Sequence, residues 1–103
     1  MIIIYNIEIS KDAEKDIINS VDFYEQRQKE LGKRFFRKIL KSFDVILLNP
    51  YAHQKIDNNL RKYTVEKFPF IILYRIATPN IRIIAVFHTS RNPETIKTDY
   101  KTK

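Results

Sequence analysis

Three features of this 103-residue chain point to an α+β fold. A β-branched segment opens it, two stretches with helical apolar spacing follow, and three apolar strand-like runs come after Pro50. Helices gathered together ahead of a set of neighbouring strands can cover only one face of a sheet, which separates this order from alternating α/β folds.

Ile2–Ile9 reads as a strand because Tyr5, Ile7 and Ile9 alternate with Asn6 and Glu8. Ser10 is a good N-cap, and Asp12, Glu14 and Asp16 suit the positive end of a helix. Ala13, Ile17, Val21 and Tyr24 then recur at helical spacing, to about Lys29. Gly32, the chain's one glycine, is the expected break before a second helix. Phe35, Phe36, Ile39, Leu40, Phe43, Ile46 and Leu47 form that helix's apolar stripe. Lys33, Arg34, Arg37, Lys38 and Lys41 read as its solvated side. Asn49-Pro50 stops it, since the residue before proline disfavours helical geometry. So short a link between the helices implies an antiparallel hairpin.

Tyr51–Asn59 is polar and reads as a connection, with His53 on its surface. Leu60–Phe68, Phe70–Ile76 and Ile81–Phe87 are the three later strands, with a turn at Thr78-Pro79-Asn80. Short links make them an antiparallel meander. The expected order is β-α-α-β-β-β, an antiparallel sheet packed on a helical hairpin. No repeat or linker divides the chain, so residues 1–103 form one domain, with a tail from about residue 97 expected to be disordered.

Composition narrows the function classes. Apolar residues make up 44% and there are thirteen aromatics, too many for a disordered basic tail. The absence of cysteine excludes disulfides, thiol chemistry and thiolate zinc sites. Two distant histidines and scattered carboxylates predict no metal, and one glycine predicts no Gly-rich phosphate loop, so no cofactor is expected. Ile2–Ile4 is too short for a signal-peptide core and no run could cross a bilayer, which predicts a cytoplasmic protein without a membrane partner. The formal charge is +7. Residues 1–48 hold nine basic and eight acidic side chains, whereas residues 49–103 hold ten and four. The excess in the second half suggests an anionic partner, nucleic acid or an acidic protein segment.

The ordered words Asn49-Pro50, Arg61, Phe68-Pro69-Phe70-Ile71-Ile72-Leu73-Tyr74-Arg75-Ile76 and Val86-Phe87-His88-Thr89-Ser90-Arg91-Asn92-Pro93 resemble the RelE/ParE superfamily. These are toxins of type II toxin–antitoxin modules, also labelled plasmid stabilisation proteins. The likeness runs from about Ile7 to Ile96. It implies the RelE/ParE-like fold, growth inhibition and neutralisation in a hetero-oligomer with an acidic antitoxin. The superfamily has two main activities: ParE-like inhibition of DNA gyrase, and RelE-like metal-independent cleavage of mRNA on the ribosome. The Phe-Pro-Phe entry and the His-x-x-Arg-x-Pro ending resemble the ParE-like branch, which is the reading adopted. The alternatives are an mRNA interferase and a non-toxic relative that only binds antitoxin.

Metal-free RNA cleavage needs a base for the 2′-OH, cations for the phosphate and an acid for the leaving oxygen. If the chain is a ribonuclease, His88 is the acid–base candidate, since histidine titrates near neutrality. Arg61 and Arg91 would then hold the phosphate through their planar forks. Arg75, Arg82 and Lys55 join them as candidate phosphate- or target-binding residues. Strict alternation would place Arg82, Ile84, Val86 and His88 on one face of the last strand. The structural alternatives are a strand-end role for His88 and a tail brace between Arg91 and Glu94.

Overall fold

Ser10 sets the first junction of the molecule. Its hydroxyl accepts from the Ala13 N–H at 3.0 Å and donates to the Ile84 carbonyl at 3.0 Å, so one side chain caps a helix and ties it to a strand. The computed structural model describes residues 3–90. Its order is β1 (Asn6–Ile9), α1 (Lys11–Arg27), α2 (Leu31–Leu48), a 3₁₀ turn (Pro50–Ala52), β2 (Gln54–Asp57), β3 (Leu60–Thr64), β4 (Phe70–Ala77) and β5 (Asn80–His88). The sheet runs β1-β5-β4-β3-β2. The later strands pair antiparallel, and β1 pairs parallel with β5 after the crossover made by the two helices.

The architecture is the α+β arrangement expected, with one strand added and one shortened. The polar connection after Pro50 contains a short edge strand, β2, whose pairing with β3 is interrupted by a bulge between Lys55 and Asp57. A four-residue polar strand has no hydrophobic pattern to announce it; its neighbour makes it. The opening strand is also shorter than its β-branched run, because only Asn6–Ile9 find partners on β5.

The helix break lies ahead of Gly32. The chain turns at Glu30, whose φ of 72° is left-handed, and Gly32 sits inside the first turn of α2. What the glycine supplies is room: a Cβ there would lie 2.6 Å from the Val21 carbonyl oxygen of α1. The two helices therefore cross at contact distance. Glu30 makes no side-chain cap, and Glu25 of α1 fills the role. Its carboxylate accepts from the Glu30 N–H at 2.9 Å and the Gly32 N–H at 3.0 Å.

The main core lies between the hairpin and the sheet. Ala13, Ile17, Phe35, Ile39, Phe43 and Ile46 pack on Phe70, Ile72, Tyr74, Ile76, Ile81, Ile83 and Val86. Tyr24, Phe35, Phe68 and Phe70 close one end of it with ring centroids 4.8 to 6.0 Å apart. The opposite face of the sheet has an apolar centre of its own. Leu60, Ile71, Leu73, Ile84, Ala85 and Phe87 are buried there, with Ile56 beside them. Phe36, expected in the core, is 42% exposed on the flank of α2 that faces α1.

Candidate functional site

A bulge in β5 decides which side chains share a face. Leu73 pairs with Ala85 and Tyr74 with Ile83, leaving Ile84 as the extra residue. Arg82 and Ile84 thus lie on the face away from the helices, while Val86 returns to the helix side. His88 follows Val86 and stacks edge-on against Phe70, ring centroids 5.5 Å apart. The expectation that Arg82, Ile84, Val86 and His88 share a face is corrected by this one inserted residue. Alternation holds only as long as the register does.

Arg75 and Arg82 are cross-strand partners, so these two cations stand together beside the second apolar cluster. Arg61 and Lys55 are partners on the other face. Arg61 does not project freely. Its Nη1 donates to the Tyr51 carbonyl at 3.0 Å and the His53 carbonyl at 2.8 Å, and its guanidinium lies 5.2 Å from the Tyr51 ring centre. It braces the turn that follows α2. Beside it the buried Tyr74 hydroxyl donates to the Pro50 carbonyl at 2.6 Å. Burial pushes the Tyr74 phenol up to about 12, the Arg61 charge opposing.

His53, expected on the surface, is half-buried. Its ring meets Tyr63 edge-on at 5.0 Å and Tyr74 at 6.5 Å. Burial first, and the Arg61 charge second, hold its pKa below the usual histidine value, which favours a neutral imidazole. The sequence signal for this cluster was faint: a tyrosine, Tyr51, two positions before a histidine, just after the helix-stopping proline.

His88 ends β5 and is exposed. The Ser90 N–H donates to its Nδ1 at 3.1 Å, so Nδ1 is an acceptor and the ring proton belongs on Nε2. With Asn19, Ser20, Phe23, Tyr24, Arg27 and Phe70 it lines a groove of 510 Å³. Arg27 lies 4.8 Å from the centre of the Phe23 ring in this groove. His88 pairs with Phe70 and Arg61 with Tyr74, four residues along β4 and two strands across. At ordinary strand spacings their backbones are about 16 Å apart. The histidine and the brace arginine thus share a face without converging. Arg91, the third member of the proposed nuclease set, lies outside the described residues. Among the described residues no three His, Asp or Glu side chains gather as metal ligands.

The hairpin carries a different kind of surface. Ile17, Ile18, Val21, Asp22, Lys33 and Phe36 line a groove of 290 Å³ between α1 and α2. Ile18 is 52% exposed, and Phe36 and Leu40 continue the apolar strip along α2. Sequence reasoning placed Phe36 in the core and Leu40 in the apolar stripe of the second helix. The usable signal was the width of the α2 stripe, broader than one buried face needs, with Ile18 off the α1 pattern.

A family model described as the ParE toxin of the type II toxin–antitoxin system parDE matches residues 7–93. The chain belongs to that family. As a ParE-family member it is a toxin of the type II toxin–antitoxin class, and the match runs from the second residue of β1 past His88, the end of β5. The structure is also similar to a chain of the chromosomal ParDE toxin–antitoxin system from P. aeruginosa, with a TM-score of 0.73. The two are 16% identical, over 82% of this chain and 96% of that one, so the likeness is one of fold. None of the curated proteins is significantly similar in sequence. No described helix of this ParE-family toxin is long and apolar enough to cross a membrane.

Proposed function

We propose that this ParE-family toxin inhibits DNA gyrase and is held inactive by a cognate antitoxin. The observation that carries the gyrase reading over RNA cleavage is the separation of His88 from Arg61, about 16 Å along and across the sheet. General acid–base cleavage needs its proton-transfer group and its phosphate-binding cations around one scissile bond. Arg61 is engaged with two backbone carbonyls instead, and Arg82 faces away. Gyrase inhibition by occlusion makes no such demand.

For the antitoxin, the apolar strip of Ile18, Phe36 and Leu40 is the docking surface proposed. An amphipathic helix laid along the hairpin would bury it, and an acidic side chain on that helix would meet Lys33 at the groove's edge. The target is tested by incubating the purified toxin with gyrase and supercoiled plasmid, and separately with translating ribosomes. The expected result is gyrase-dependent linear DNA with intact mRNA. Cleavage of ribosome-bound mRNA that disappears in His88→Ala overturns the proposal in favour of an interferase. Inactivity in both assays overturns it in favour of a relative that only binds antitoxin.

A further inference from the structure

Dividing the charge by structural element shows a segregation that halving the chain conceals. Residues 1–30 carry four basic and seven acidic side chains, whereas α2 carries five basic and one acidic. At 100° per residue, Lys33, Arg34, Arg37, Lys38 and Lys41 fall within an arc of about 140° on the side opposite the buried Phe35, Ile39 and Ser42. A sixth cation joins from a distant part of the chain. Lys67, in the bend between β3 and β4, lines one cleft of 420 Å³ with Leu31, Arg34, Lys38 and Phe68. Its φ of 71° is left-handed, an unfavourable setting for a lysine, and it fixes where the backbone presents that side chain.

Lys33 pairs with Glu30 at 3.4 Å. Among the described residues, the other five cations have no carboxylate within ion-pair distance. Asp44 lies on the same arc one turn beyond Lys41 and is the one acid of the helix. From Lys33 to Lys41 the exposed arc holds no apolar residue; Phe36 and Leu40 sit on the flank towards α1. Protein interfaces have apolar centres and few lysines, whereas phosphate backbones are bound by Lys and Arg with little apolar contact. The row spans about 12 Å of helix. Duplex nucleic acid offers roughly seven charges over the same length.

We infer that the outer face of α2, extended by Lys67, binds the phosphate backbone of nucleic acid, on a surface separate from the apolar strip and from His88. The inference is independent of the gyrase proposal and is measured without gyrase or ribosomes. The experiment is fluorescence anisotropy of the purified protein with a labelled 20-base-pair DNA duplex and, in parallel, a labelled single-stranded RNA of equal length. The affinity for at least one of them is expected to fall about 100-fold between 50 and 200 mM salt, the signature of roughly four phosphates neutralised. The triple variant Arg34→Gln, Lys38→Gln, Lys67→Gly is expected to lose most of that affinity and most of the salt slope. Arg34 and Lys67 are exposed, Lys38 is half-buried, and glycine relieves the left-handed position, so the variant's melting temperature serves as the folding control.

The inference is overturned by no binding to either probe at 50 mM salt, by wild-type affinity in the triple variant, or by loss on Arg75→Gln with Arg82→Gln instead. A poly-glutamate 20-mer is the competitor for the protein alternative. Displacement of the probe at equimolar peptide assigns the surface to an acidic protein and overturns the nucleic-acid reading.

Discussion

Tyr74 shows how one side chain can serve packing and chain geometry together. It is fully buried in the middle of β4, yet its hydroxyl reaches the Pro50 carbonyl and so fixes the exit from α2. Removing only that oxygen, in Tyr74→Phe, leaves a buried carbonyl without its donor and is expected to cost about 1–3 kcal/mol by urea denaturation. The same residue predicts an alkaline limit. Its folded pKa is raised to about 12 from 10, so the native state holds a proton that the unfolded state releases first. The stability this contributes is complete below pH 10 and is lost as pH rises through about 12. Tyr74→Phe should therefore lose less stability than wild type between pH 9 and 11, and an equal loss refutes the assignment. Neither role could be read beforehand: Tyr74 stands inside the apolar strand run Phe70–Ile76, but its hydrogen-bond partner lies 24 positions away. Arg61 teaches the same lesson, since a candidate phosphate ligand proves to be held by the backbone of its own domain.

At the scale of the element, helices were legible and the details of their ends were not. Ser10 and the following acids identify the start of α1, because N-capping is local chemistry. The start of α2 has no local signature: its cap is Glu25, seven residues before Gly32 and on the other helix. Gly32 looked like punctuation and is instead a contact. Gly32→Ala drives a Cβ against the Val21 carbonyl, and backbone atoms cannot rotate aside. The hairpin must open, at an expected cost of about 1–3 kcal/mol in the same denaturation assay; an unchanged midpoint would show the helices are free to part. The β5 bulge is the corresponding case in the sheet. Beyond it the Val86 N–H donates to the Asp16 carboxylate of α1 at 3.0 Å, past the end of β1. That bond needs a strand and a helix 70 positions apart, and no alternation of side chains encodes it.

For the whole molecule, the hairpin separates two surfaces that one dimension had mixed. The apolar strip of Ile18, Phe36 and Leu40 follows the α1 side of α2, and the cations follow its outer side. Phe36→Asp with Leu40→Asp should weaken capture of the cognate antitoxin by about 100-fold or more, as loss of central apolar anchors does. The two side chains are 42% and 45% exposed, so the melting temperature is measured alongside as the folding control; retained affinity in a folded variant would move the antitoxin elsewhere. Sequence alone determined the fold class, the family and the toxin assignment. Those depend on periodicity, on breakers such as Asn49-Pro50, and on an ordered set of words, all of which are properties along the chain. Tertiary structure alone decided which candidates meet. One bulged residue set Arg82 and His88 on opposite faces, and strand register put Arg61 far from His88. A helix crossing and a bend likewise brought Lys67 beside Arg34 and Lys38. Convergence of side chains depends on register and packing angle, and a shift of one residue in either reverses it.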